Sequence, residues 1–518
     1  MKSFNRSIAI LGAGKARAVA LVLSTMIAVM SGTCAMAQGS GPEIRVALSA
    51  GLDVLDPTRS TNGADFVIYT QVYETLLDLD PKTGELVPKL ATSFRLKSPT
   101  VWEFKLRRGV KFHDGTPFTS ADVKYSIERV LDPATSSPHL AQLASVKEVR
   151  AINELTVEIE TKTPDPLLPR RMQPVGGAGR VFIVPKMYFE AGTKQEVSDK
   201  PVGTGPYKLG EWRKGQSLTL LRNEDYWGKK PDGAKGTFTF ITENATRVNA
   251  LLSGEVDVIQ RLPIPDVPRV EGSASAKIIA SSAGVVHTLL LDSRKPPFDD
   301  LNTRKAFAHA LNMNNVIGNL LGKYGRVLPV PLGPTVTQLD KSIAPYKYDR
   351  NLAKELLGNK APLELSTYTS DGRYVADRDI YQAVNAQLSA NGFKVKPQTL
   401  EWGRFVSLMQ SRSAGPFYVV GWDFSEGDAS KMNSFLKSSS AFSVTNDPAY
   451  DKLVDAAAAE MDEAKRTELW KTAQKLVHEK YYVAAVWQAD AIYGFSKKMN
   501  FQGTVGEVLD LSKVTVAP

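Results

Sequence analysis

Trp102, Phe104 and Leu106 alternate with Glu103, Lys105 and Arg107. A period of two puts the apolar side chains on one face of a strand and the charges on the other. Residues 44–48 read as a short apolar strand, and residues 51–62 as a loop with Asp56-Pro57 and Asn62-Gly63 as turn signals. A helix is predicted over 65–77, with Phe66, Tyr69, Val72, Tyr73 and Leu76 on one face. Asp80 to Gly84 is a turn between strands, and residues 110–113 run on as a strand after Arg108-Gly109. Thr119 is a good N-cap, and Asp122 three residues later completes a capping-box variant for a helix over 121–130. Residues 151–160 alternate again and predict one more strand.

The second half changes rhythm. A helix beginning near Thr246 ends at Gly254 and leads directly into a strand. Next come a strand from Thr288, a Pro-Pro turn, and a helix opening after Asp299-Asp300 that buries Ala306, Phe307, Ala310 and Leu311. Helices are predicted over 348–357, 377–390, 402–409, 448–460 and 463–480, and strands over 363–368, 393–399, 417–420 and 483–487. Strands alternating with helices imply an open α/β sheet, whose ligands bind beyond the strand ends.

The N-terminus stands outside this pattern. Lys2, Arg6, Lys15 and Arg17 precede an apolar run over 18–30, and Ala35-Met36-Ala37 offers a cleavage site. The run is too short to span a bilayer comfortably, which favours a cleaved leader over an anchor. Cys34, the only cysteine, raises lipidation as an alternative, but Ser31-Gly32-Thr33 before it suit that modification badly. The exported body then has no cysteine pair, so neither disulfides nor thiolate metal sites shape it. About 480 residues remain, enough for two or three domains. Most of the formal charge of +9 survives loss of the four leader cations, but no basic run interleaved with aromatics points to nucleic acid.

Catalytic motifs are missing. There is no G-x-S-x-G or H-E-x-x-H, and His113, His139, His287, His309 and His478 are dispersed along the chain. The stretch Val419 to Asp428, VVGWDFSEGD, is more informative. It reads as the end of a buried strand, then Trp422, then Asp423, Glu426 and Asp428 in a short loop. Adjacent carboxylates repel one another, and a structural turn gains little from that. An aromatic wall beside acids suits a cationic or hydroxyl-rich small molecule. A solvated acidic turn is the plain alternative.

The run LVPKLATSFRLKSPTVWEFKLRRGVKFHDGTPFTSADVKYSIERVL resembles the signature of extracellular solute-binding proteins of the dipeptide, oligopeptide and nickel type, family 5, which serve ABC importers. PVGTGPY at 201–207, NEDYWG at 223–228 and TRVNALLSGEVDVI at 246–259 extend the likeness. It implies an α/β, two-lobed periplasmic-binding-protein fold of type II, with an extra subdomain and the ligand cleft between the lobes. Expected boundaries are a signal peptide over 1–37, lobe I over 38–78, 199–288 and 486–518, the extra subdomain over 79–198, and lobe II over 289–485. Chain crossings near Leu289 and Ala485 would form the hinge.

The resemblance also implies the ligand residues Asn62, Arg373, Tyr374, Trp422, Asp423, Ser425 and Asp428. Peptide-binding relatives commonly place an aspartate three residues after the Gly-Trp tryptophan, where it meets the peptide α-ammonium. Here that position is Ser425. An ordinary peptide is therefore a poorer fit than an opine-like conjugate or glycoside. The implied protein is a periplasmic monomer without cofactor or metal that captures a small solute or peptide and passes it to importer permease subunits. A secreted hydrolase with dispersed catalytic residues is the rival reading.

Overall fold

The computed structural model describes residues 41–517, apart from 81–82, 176–180, 371–372, 502, 504–505 and 507. The expected leader and Cys34 lie outside the described residues. Two long antiparallel strands, Ala276–Leu291 and Val483–Ser496, run through the centre of an eleven-stranded sheet. Both extend well past the short apolar cores at 288–291 and 483–487 that mark them in sequence. Polar residues such as Gln488 and Asp490 interrupt the second pattern without ending the ladder.

The ladder between these strands slips twice. Ala283, Gly284 and Val285 stand opposite Ala489 alone, and a second irregularity separates Leu289 from Leu290. Such bulges bend a strand and re-aim its side chains. From Val285 onward the first long strand also pairs with Phe417–Asp423, which it does not meet before the bulge. On this side Phe417–Asp423, Leu363–Ser370 and Phe393–Leu400 continue the sheet as parallel neighbours. On the other side the order runs through Val258–Ile259, Glu43–Leu48, Lys235–Phe240, Ser217–Arg222 and Tyr207–Arg213.

Period-two alternation decides what each strand buries. In Phe417–Asp423, Tyr418 and Val420 enter a core with Phe435 and Trp470, while Phe417 and Val419 face Phe307 and Val384. Helices cover both faces, as parallel strands require. Helix Asp377–Ala390 has the predicted bounds, and Trp402–Gln410, Pro448–Ala459 and Glu463–Glu479 differ from expectation by about a residue, the ordinary uncertainty of a helix end.

A separate four-stranded antiparallel sheet takes the order Ala91–Ser98, Val101–Leu106, Thr156–Thr161, Val146–Asn153. Helix Ser120–Leu131 lays Val123, Ile127 and Val130 on Phe104 and Val157. The Asp122 carboxylate accepts the Thr119 backbone N–H at 2.9 Å, the reach-back half of a capping box.

Three expectations need correction here. Residues 151–160 are a hairpin, turned where Asn153 Oδ1 accepts the Leu155 N–H at 3.0 Å. Residues 110–113 make no strand, only a bridge between Lys111 and Pro117. The first helix, Gly63–Val72, stops well short of Leu77 because the glycine turn at 201–207 lies across its end. Gly205 N–H donates to Val72 O at 2.9 Å, and a Cβ on Gly203 would stand 2.0 Å from that oxygen. His113 clasps the same turn, with Nε2 against Gly205 O at 2.9 Å and Nδ1 accepting Gly203 N–H at 3.3 Å.

Candidate ligand-binding site

Strands Leu363–Ser370 and Phe417–Asp423 run parallel, so their C-terminal ends and the loops that follow them come together. Open α/β sheets bind ligands at such ends. Arg373 and Tyr374 follow the first strand. The Asp377 carboxylate folds back to accept their backbone N–H groups at 2.9 and 3.0 Å. With the loop pinned, the Tyr374 ring lies on Gly421, where a Cβ would stand 2.8 Å from it. Gly421 N–H also donates to the Tyr374 hydroxyl at 3.1 Å. The glycine of VVGWD is therefore required by a close approach.

Above this floor, the exposed Arg373 guanidinium lies 4.9 Å over the Trp402 ring and 5.9 Å over Tyr374. The aromatic faces hold it while its planar edge stays exposed, a shape that suits a carboxylate. On the other side, Tyr374 meets His287 edge-on at 4.7 Å, and His287 stacks on Trp487 at 5.4 Å. Sequence reasoning treated His287 as an unremarkable lone histidine and Trp487 as the end of a strand. Their pairing in one rung of the ladder is set by register, which nothing local encodes.

The acidic loop divides its residues between inside and outside. Trp422 continues the alternation of Tyr418 and Val420, so its half-buried ring stacks on Phe435 at 4.9 Å and packs edge-on to Phe442 at 5.8 Å. It lies within the strand, not in the loop beyond it. Asp423 accepts the Ser425 N–H at 2.9 Å and is partly exposed. Ser425 is buried, and a Cβ on Gly284 would stand 1.6 Å from its hydroxyl oxygen. Asp428 faces inward: fully enclosed, it is ion-paired with Arg466 and accepts the Ser430 N–H at 2.8 Å. Burial alone would raise its carboxyl, but the Arg466 guanidinium holds it below the usual carboxylate range.

Glu426 differs from its neighbours. One of its carboxylate oxygens is buried without a hydrogen-bond partner. Burial pushes this carboxyl up to about 7, Lys431 opposes the shift, and Asp423 and Asp428 add to it.

The first-lobe loop at 51–62 turns its polar groups inward too. Asn62 caps its helix by accepting the Ala64 N–H at 3.0 Å, and its amide donates to Gly51 O and Asp53. Asp56 is fully buried against Arg129, and Ser60 donates to Asp65 at 2.6 Å. Among the described residues, no cluster of His, Cys, Asp or Glu is disposed to hold a metal ion, and no helix is long and apolar enough to cross a membrane.

The profile of the bacterial extracellular solute-binding proteins, family 5 (middle), matches residues 85–444. The chain belongs to this family. A putative ABC transporter peptide-binding protein of Brucella ovis is 28% identical over 490 residues, covering 88% of this chain and 90% of that protein. Di/tripeptide-binding protein 2 of Pseudomonas aeruginosa is 26% identical over 473 residues, covering 85% of this chain and 88% of its own length. The periplasmic binding protein DppA of Helicobacter pylori, solved with the peptide STSA, superposes with a TM-score of 0.75 at 25% identity, over 92% of this chain and 98% of that one. The two-lobed type II fold expected from the resemblance is the fold of this family-5 protein.

Proposed function

We propose that this family-5 protein is the periplasmic solute-capturing component of an ABC importer, that it is not an enzyme, and that its site is built on Arg373, Tyr374 and Trp402 with Asp423 at the end of the neighbouring strand. The observation that carries this reading is the Arg373 guanidinium resting on Trp402 and Tyr374 at the C-terminal ends of two parallel strands. That arrangement offers a carboxylate a planar bidentate donor. The solute is an acid-bearing small molecule: a peptide, an opine-like conjugate or an acidic glycoside. Ser425 brings no charge to the position where peptide readers commonly hold the α-ammonium, and Asp423 is the partly exposed acid beside it. Of the expected ligand residues, Arg373, Tyr374 and Asp423 form the proposed contact set; Trp422, Ser425 and Asp428 pack into the protein beside it, and Asn62 caps helix Gly63–Val72.

Closure would bend the molecule at Ala283, Gly284 and Val285, where the ladder is already broken. Solute touching both lobes stabilises the closed form, and the permease reads that form. The protein acts as an exported monomer after cleavage near Ala37. Thermal unfolding and solution scattering against a panel of peptides, opines and glycosides test the reading. A cognate solute raises the melting temperature and reduces the radius of gyration together; a panel that does neither removes its support.

A further inference from the structure

His287 presents the one polar side chain of the aromatic ladder that is enclosed and unsatisfied. It is 6% exposed, and neither ring nitrogen has a hydrogen-bond partner of normal geometry. Burying a polar group without a partner costs free energy, so such a group is kept for packing, for a bound water or for a ligand. A notch opens beside the ring, walled by His287, Ser370, Tyr374, Asp377, Tyr381 and Trp487. Its mouth is at Val375, which is 42% exposed, next to the Arg373 shelf.

Three of the other polar walls are engaged. The Tyr381 hydroxyl shares a 2.6 Å hydrogen bond with Thr367, and the Asp377 carboxylate serves the backbone of the Arg373 loop. The Tyr374 hydroxyl is taken by Gly421. The imidazole has no such partner. Burial pulls its basicity down to about 4, the Trp487 backbone only partly offsetting this, so the ring is neutral at ordinary pH. A neutral imidazole has one N–H donor and one acceptor nitrogen. Its complement is a group that both accepts and donates. The Asp377 carboxylate is already committed to the backbone N–H groups of the Arg373 loop, and no charged side chain of the wall is left to pair with an ion.

We propose that this notch is a specificity subsite for an uncharged hydrogen-bonding group of the solute, a primary carboxamide or a hydroxyl, held by His287 between the Trp487 face and the Tyr374 edge. The inference rests on the reading of the adjoining Arg373 shelf as the solute site and says which side group that solute carries.

The test uses the full mature protein labelled with nitrogen-15 at its histidines, with acetamide as probe and acetate as its charged counterpart. His287 is assigned by loss of its signals in His287→Leu. Its two ring nitrogens are expected to report a single neutral tautomer down to about pH 5, to shift saturably with acetamide, and to ignore acetate. Val375→Trp, which blocks the mouth from the exposed side, should abolish the acetamide shift and keeps the test decisive should His287→Leu fail to fold. The proposal is overturned if acetamide leaves the ring unmoved, if Val375→Trp leaves the shift unchanged, or if the ring contacts a buried water that acetamide does not displace. Because these probes need neither the transported solute nor lobe closure, failure here is distinguishable from failure of the importer reading, which the melting and scattering panel decides.

Discussion

A Cβ built on Gly284 would lie 1.6 Å from the Ser425 hydroxyl oxygen, a distance that no real pair of atoms tolerates. The bulge of the long strand and the loop after Asp423 are therefore fitted to one another, and Phe424 N–H donates to Gly284 O at 2.8 Å across the same joint. Gly284→Ala should destabilise the protein by about 1–3 kcal/mol, the usual range for overpacking. Ser425→Gly in the same chain should recover part of that loss, giving a measurable coupling in a double-mutant cycle read by denaturant unfolding. Additive effects would separate the two residues.

Arg170 ties distant parts of the chain together. Its Nη1 donates to Gly84 O at 3.2 Å and to Glu426 O at 3.1 Å. These bonds join the turn before the four-stranded sheet to the loop that follows Asp423. Arg170→Ala should favour an opened arrangement, seen as a larger radius of gyration, and weaken solute binding by about 1–2 kcal/mol, as the loss of hydrogen bonds to a charged group implies. An unchanged radius and affinity would make Arg170 a bystander.

Asp428 and Arg466 are 1% and 5% exposed and ion-paired. Removing one partner leaves the other charge buried, a cost of about 3–5 kcal/mol. Asp428→Asn should lower stability by an amount in that range while leaving the solute affinity of the folded fraction intact. Affinity lost in step with the charge would instead put Asp428 in contact with solute.

Glu426 makes stability depend on pH. Burial pushes its folded carboxyl up to about 7, from an ordinary 4.5. Between those values the native state holds a proton that the unfolded state has released, so stability falls as pH rises through the window and is level outside it. Glu426→Gln removes this dependence. The variant should gain on the wild type by on the order of 2 kcal/mol between pH 5 and pH 8 in urea unfolding. A difference independent of pH would mean the carboxylate is solvated.

Patterning made much of this legible. Helix Asp377–Ala390 has a clear apolar face and a glycine stop, and its bounds matched. The capping signal at Thr119 also held, because caps are local chemistry. What failed depends on contacts distant in sequence. The first helix ends at Val72 because residues 203–205 cover it, and no local signal says so. The hairpin at Asn153 was signalled only by an Asx turn inside an unbroken alternation. Arg373 and Tyr374 of the proposed site were named through the family resemblance. His287 and Trp487 were missed because strand register alone brings them to the ladder. The acids of VVGWDFSEGD were read as one surface, yet Asp428 points into the protein toward a helix 38 residues further along the chain.

The central claim is that the molecule holds a solute and releases it unaltered. Native mass spectrometry of the mature protein, incubated with the panel member that raises its melting temperature most, tests this directly. The account predicts one solute per chain, recovered chemically unchanged after denaturation. Conversion of the solute into products, or no complex of defined stoichiometry, would contradict it.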